Sequence, residues 1–175
     1  MAKTEVNWTD YFRQTMSVMR TDGLLLVSSG KDGPNVMTIG WGSMGSIWGR
    51  PMFLVMVRPS RFTHGCLERN GDFTVNVPPA SLSEVVAYCG MVSGRDRDKF
   101  KEKHLTPVRS KRVRSPIIRE CVVHYECQTV HKNMVVPDAL TGEIRSASYP
   151  AGDFHDIYFG EILAVYAESN ARDLL

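Results

Sequence analysis

Long apolar runs are missing from this 175-residue sequence: Met52 to Val57 is as long as any, far short of the ~20 residues that cross a bilayer. That excludes a membrane-spanning helix and predicts no membrane partner. An excess of charge is missing too, the net charge being only +2. Without a basic surplus there is no general electrostatic case for nucleic acid, and the local cluster of Lys, Arg and His from Lys99 to Arg114 reads as a solvated loop. Cysteine is sparse. Cys66, Cys89, Cys121 and Cys127 form no Cys-x-x-Cys pair and have no histidine at zinc-finger spacing, so no metal site is expected. The N-terminal Met-Ala-Lys-Thr-Glu-Val-Asn-Trp lacks an apolar leader, which predicts a cytoplasmic protein and leaves the Asn7-Trp8-Thr9 sequon without chemistry. Ser-His-Asp and paired-carboxylate patterns are absent as well, so the sequence supplies no nucleophile or acid–base dyad to build a reaction on.

What the sequence does contain is a balanced globular composition, with 43% hydrophobic and 23% charged residues. A chain of this length suits one domain, residues 1–175, burying roughly 70% of its unfolded surface. Asn7 or Thr9 is placed to cap a helix whose stripe is Trp8, Tyr11, Phe12, Met16 and Met19. Leu24 to Val27 reads as a buried strand, Lys31-Asp32-Gly33-Pro34 as a hairpin turn and Asn35 onward as the returning strand. Pro51 to Val57 is a third strand, ended by Arg58-Pro59. Ser60 is placed to cap a helix from Arg61 to Glu68 that Asn70-Gly71 stops.

Asp72 to Val77 follows as a strand, and Ser81 with Glu84 suggests a capping box for a helix reaching Cys89. One helical turn is expected around Asp98-Lys99-Phe100, a long strand from Pro116 to His131, and another from Asp156 to Glu168. Cys121 and Cys127, six apart on the former strand, are expected to share one face as apolar fillers. The connection from Lys132 to His155 carries Pro137, Gly142, Pro150 and Gly152 and matches no motif. About six strands and few helices predict a mainly β fold, a six-stranded antiparallel barrel with flanking short helices.

Gly40-Trp41-Gly42-Ser43-Met44-Gly45 fits the dinucleotide fingerprint G-x-G-x-x-G, but Gly49 and Pro51 stand where a helix would have to begin. These glycines instead suit a bent strand or a backbone lying close to a flat ligand. Arg58-Pro59-Ser60-Arg61-Phe62-Thr63 has the make-up of a phosphate site, with two guanidinium forks, two hydroxyls and a helix N-terminus. Asn35, Thr38 and Asn76 are polar at strand positions and would suit the polar edge of an aromatic ring system, with Trp41 over its face. Cys89, in Tyr88-Cys89-Gly90 beside a polar loop, is a further candidate contact.

Together these segments resemble the flavin reductase-like family of FMN-binding split barrels, in particular its flavoredoxin-type branch. The resemblance rests on Asn35-x-Met37-Thr38-x-x-Trp41, Arg58 to Thr63, Phe73-x-Val75-Asn76-Val77, Tyr88-Cys89-Gly90, Ser93-Gly94-Arg95-Asp96-x-Asp98-Lys99-Phe100 and His155-x-x-x-x-Gly160-Glu161-Ile162. It implies a six-stranded split barrel, a homodimer and FMN held near the subunit interface. It implies that Asn35, Met37, Thr38 and Trp41 line the ring and ribityl chain, and that Arg58, Ser60, Arg61 and Thr63 meet the phosphate. Asn76 would complete the pocket, with Cys89 and Lys99 among the cofactor-binding segments. Phe62 stands where many members carry Tyr, so a phenolic hydrogen bond to phosphate would be missing. His155 is implied as the residue beside the flavin that orients a nicotinamide or redox partner. The activity implied is hydride transfer from NADH or NADPH to FMN and onward electron delivery, with a flavoredoxin-type electron carrier as the alternative.

Overall fold

The structure, a computed structural model, describes residues 3–175. In chain order the elements are β1 (Lys3–Glu5), α1 (Phe12–Thr21), β2 (Leu24–Gly30), β3 (Gly33–Ile39), β4 (Gly42–Ile47), β5 (Arg50–Val57), α2 (Phe62–Asn70) and β6 (Asp72–Val77). Then come α3 (Ser83–Met91), α4 (Lys99–Glu102), β7 (Pro107–Val108), β8 (Ile117–Ile118), β9 (Val123–Met134), α5 (Gly142–Ser148), β10 (Asp156–Glu168) and α6 (Ala171–Leu174). The main sheet is antiparallel, in the order β3-β2-β6-β9-β10-β5-β4, with β1 added beside β10. Mainly β architecture with short flanking helices is therefore as expected. The strand count is larger than six, because the glycine-rich Gly42–Ile47 segment pairs with β5 as a strand and β1 joins the edge.

Two cores explain why Leu24 to Val27 is apolar without alternation. Leu24 and Leu26 point into the barrel with Phe53, Phe73, Val75 and Tyr125, while Leu25 and Val27 face a second cluster holding Val36, Val86, Cys89, Phe100 and Ile118. A sheet covered on both faces asks for apolar residues at every position. Helices α3 and α4 supply that second cover.

Several local expectations meet tertiary competition. Gly71 takes the left-handed conformation that ends α2, as Asn70-Gly71 predicts. No side chain caps α1, α2 or α3, however. Asn7 Oδ1 instead accepts from the Thr9 N–H in a turn ahead of α1. Ser81 lies in a 3-10 turn at Ala80–Leu82, one residue ahead of the α3 N-cap at Leu82, and so forms no box with Glu84.

The expected strand from Pro116 to His131 is broken. The Cys121 N–H bonds back to the Ile118 carbonyl, and the Glu120 carboxylate accepts the Thr106 N–H, so the chain turns before β9 starts. Cys121 consequently packs with the second cluster and Cys127 with the barrel core, not on one shared face. Beyond β9, the motif-less connection folds into a 3-10 turn at Pro137–Ala139 and α5.

Candidate functional site

Strands β2 and β3 meet α2, α3 and the segment leading to α4 along one line, and three adjoining recesses open there. The first, about 260 Å³, is lined by Met37, Thr38, Trp41, Met56, Arg58 and His155 together with Arg61 and Gly90. The second, about 160 Å³, shares Met37 and Arg61 with the first and adds Asn35, Ser60, Thr63 and the Ser93–Arg95 turn. The third, about 650 Å³, shares Asn35, Phe62, Gly94, Arg95 and Lys99 with the second.

The second recess is built from cations. Arg61, half-buried, donates to the Gly90 carbonyl at 2.6 Å. Lys99 is 3% exposed and, among the described residues, donates only to the Cys89 and Val92 carbonyls, at 3.4 and 3.2 Å. Arg95 donates to the Ser60 carbonyl at 2.9 Å. Among the described residues, none of these three makes an ion pair with a carboxylate. Burial lowers the Arg61 pKa, and burial lowers that of Lys99 to about 8, partly offset by the nearby Cys89 and reinforced by Arg61. Desolvated cations without counter-charge disfavour their own ionisation, and a bound anion removes that penalty. The donor set therefore fits a phosphate group. Asn35 Nδ2 donates to Thr63 Oγ1 at 2.7 Å, fixing β3 against the first turn of α2 beneath it.

The first recess has a different character. Arg58 does not offer its fork to a ligand: it donates to the carbonyls of Ser148 at 2.9 Å and Asp153 at 3.0 Å, and lies over the Tyr149 ring. Ser60 is likewise engaged, its N–H and hydroxyl both donating to the Asp153 carboxylate. These two residues strap the segment before β10 onto the end of β5. The strap carries His155, whose Nδ1 lies 2.9 Å from the Tyr149 hydroxyl and whose ring sits 4.9 Å from that of Trp41. Burial, aided by Arg58, lowers the His155 pKa to about 4. Trp41 is 43% exposed at the mouth, an apolar plate facing open space.

Of the residues singled out in the sequence, Asn35, Met37, Thr38, Trp41, Arg58, Ser60, Arg61, Phe62, Thr63, Lys99 and His155 line this row of recesses. Thr38 turns its hydroxyl to the Val86 carbonyl, so only the rest of its side chain faces the recess. Two do not belong. The Cys89 side chain is fully buried in the second core, where burial raises its thiol pKa. Asn76 is also fully buried; its Oδ1 accepts from the Ile118 N–H at 3.0 Å and its Nδ2 donates to the Leu25 carbonyl at 3.2 Å. It also accepts from His124 Nδ1 at 2.8 Å, which leaves His124 Nε2 to accept from Lys3 Nζ at 2.6 Å. Burial, with Lys3 adding to it, accordingly lowers the His124 pKa to about 3. A strand-interior Asn thus serves the sheet and not a ligand.

Missed from the sequence were Met56, Arg95, Tyr149 and Asp153. Tyr149 and Phe154, stacked at 4.7 Å, are the only Tyr, Phe or Trp residues between Lys132 and His155, a signal that could have marked this connection. Asp153, with φ of 57°, holds a backbone conformation no spacing rule anticipates.

A different cluster, His64, Glu68 and Asp156, brings three ligand-type side chains together. Lys132 Nζ lies 3.0 Å from Glu68 and 3.4 Å from Asp156, so an ammonium already supplies the positive charge there. The Tyr158 hydroxyl completes the group by donating to Glu68 at 2.7 Å, and the whole network ties α2 to β9 and β10.

The model of the flavin reductase like domain matches residues 18–175, and the chain belongs to that family. An uncharacterized protein of Archaeoglobus fulgidus is 36% identical over 141 residues, 80% of this chain and 69% of its own length. Across three such relatives the chain spans between 61% and 69% of their lengths. Among solved structures, flavoredoxin from Methanosarcina acetivorans superposes with a TM-score of 0.67 at 27% identity, over 97% of this chain and 77% of that one. Flavoredoxin of Desulfovibrio vulgaris gives 0.69 at 23% identity, over 85% and 70%, a likeness of fold. The split-barrel architecture is thus established.

A histidine whose folded pKa lies below its unfolded value contributes stability that is whole above that value and is lost as pH falls toward the folded one. For His155 the window runs from 6.5 down to about 4. Its ring resonances should stay at their neutral positions from about pH 8 to about pH 5.5 in an NMR titration. A midpoint close to 6.5 would show that the ring is not held out of water as described.

Proposed function

We propose that residues 1–175 form one flavin-binding domain that holds FMN and acts as an NAD(P)H-dependent flavin oxidoreductase. The observation that carries this reading is the pair of cations, half-buried Arg61 and buried Lys99, which line one recess of the cleft and make no ion pair with a carboxylate among the described residues. Family membership and flavoredoxin relatives support it. Arg61, Lys99, Arg95 and the first turn of α2 would hold the phosphate. Met37, Thr38 and Trp41 would flank the isoalloxazine, and Met56 and Gly90 would close its sides.

Bound FMN would supply the redox chemistry, accepting hydride from NADH or NADPH and passing electrons onward. The chain's share is binding and exclusion of water. His155, neutral and fixed through Tyr149, would present an uncharged imidazole to a nicotinamide entering beside Trp41, as a positioning group without proton transfer.

A second copy of the chain is the proposed partner, and it would cover an apolar sheet face. Register places Leu54 beside Phe159 and Met56 beside Ile157 on the side away from the barrel core. Trp48 adds to that face, 6.0 Å from Phe159 and 63% exposed. Met56 also lines the first recess, so the face runs into the site. Apolar patches of this kind mark interaction surfaces. Sedimentation equilibrium should therefore return twice the 19.7 kDa chain mass; a single-chain mass would remove the dimer.

Anaerobic absorbance spectra of the purified protein test the redox reading. A flavin band that bleaches within seconds of adding NADPH or NADH is expected. A band that persists with both would make the protein an electron carrier, as the flavoredoxin relatives suggest. The phosphate assignment has its own check. Arg61→Ala should weaken FMN by about 10- to 100-fold, the loss of a charged hydrogen bond of roughly 1.5–3 kcal/mol, and leave riboflavin nearly unchanged. An equal loss for both would put the phosphate elsewhere.

A further inference from the structure

A separate cavity of about 350 Å³ lies at the end of β10 opposite to His155 and shares no lining residue with the three recesses. That volume is within the ~300–1,000 Å³ of small-molecule sites. Its floor belongs to the sheet face turned away from the barrel. Tyr125, Cys127, Val165 and Ala167 point into the barrel core, so strand alternation turns Glu126, Tyr166 and Glu168 to the other side. The short β7–β8 pair borders the same space, and Val108 and Ile117, opposite each other in its register, give the lining an apolar pair.

Most of the charged groups in this lining are already committed. Lys3 Nζ has three protons and three acceptors, the carbonyls of Arg119 at 2.7 Å and Cys121 at 2.5 Å and His124 Nε2 at 2.6 Å. Glu168 lies 3.8 Å from the same ammonium. The Glu126 carboxylate, on a residue 1% exposed, accepts the backbone N–H groups of Lys111 at 3.0 Å and Arg112 at 2.6 Å. Lys111 Nζ lies 4.3 Å from the centre of the Tyr166 ring. What remains is Arg109 and Arg119, both exposed and without an ion pair among the described residues. One neutral donor also remains: Tyr166 is 3% exposed, and its buried hydroxyl has no hydrogen-bond partner, Arg112 nearing it without reaching hydrogen-bond geometry. A buried hydroxyl left unpaired is costly, and an acceptor that reaches it recovers that cost.

We propose that this cavity binds a small carboxylate with an apolar body. The carboxylate meets the guanidinium groups of Arg109 and Arg119 and accepts from the Tyr166 hydroxyl, and the body lies against Val108, Ile117 and the Tyr166 ring. One negative charge suits the lining better than two, because Glu126 and Glu168 repel a dianion such as phosphate. The flavin reading plays no part in this assignment, which stands or falls on its own.

Proton–nitrogen NMR spectra of the full chain, titrated separately with benzoate, hexanoate, benzamide and inorganic phosphate, test it. Benzoate or hexanoate should shift the Val108, Ile117 and Tyr166 amide signals saturably, with a Kd of about 1 mM or tighter. Benzamide, which has the shape of benzoate without its charge, and phosphate should bind at least about tenfold more weakly. Tyr166→Phe should weaken the carboxylate by about 2- to 10-fold, the loss of one hydrogen bond, without lowering Tm, since the hydroxyl has no partner in the fold. Replacing both Arg109 and Arg119 by Gln, two exposed changes, should cost about tenfold or more. The proposal is overturned if neither carboxylate gives a saturable shift, if benzamide or phosphate matches benzoate, or if either variant keeps full affinity.

Discussion

Two cations, Lys99 buried and Arg61 half-buried, that make no ion pair among the described residues set the terms for the rest of this chain. Burial disfavours the charged form of both Arg61 and Lys99, a cost the surrounding fold must carry whenever no anion is present. Carrying it requires rigid neighbours. Helix α2 is fixed at its first turn through Asn35 and Thr63 and farther along through Glu68, Lys132, Tyr158 and Asp156, so Arg61 cannot relax into solvent by tilting the helix. Lys99 is held differently, by carbonyls at the end of α3 that the second core locks in place.

The same rigidity assigns the polar residues their separate duties. Arg58 and Ser60 belong to one short motif with Arg61 and Thr63, yet the structure divides them: the first pair straps down the segment bearing His155, and the second pair lines the recess that holds Lys99. Division of this sort depends on which carbonyls and carboxylates arrive from Ser148 to Asp153, nearly a hundred residues downstream. Asp153 accepts that role in a left-handed conformation, evidence that its contacts to Ser60 outweigh the local preference.

What could be read from the sequence was whatever local chemistry decides. Gly71 ends a helix because it tolerates positive φ, the Asp32-Gly33 turn folds β2 back on β3, and Arg61 with Thr63 sits where a helix begins. Residues whose partners lie far along the chain were not legible. Asn76 looks like a ligand contact until Leu25, Ile118 and His124 appear around it, and Cys89 looks close to a site until α4 and β8 bury it. In the glycine-rich stretch, β4 begins at Gly42, which passes against the Leu54 backbone, a steric demand that imitates part of a nucleotide fingerprint.

All four thiols are buried, and burial raises the pKa of each, so none presents a thiolate to solvent. Reduced flavins meeting oxygen release peroxide, which attacks thiolates far faster than thiols. Thiols kept protonated in this way resist conversion to sulfenic acid by peroxide from any source; the barrel core encloses Cys127 and the second core Cys89 and Cys121.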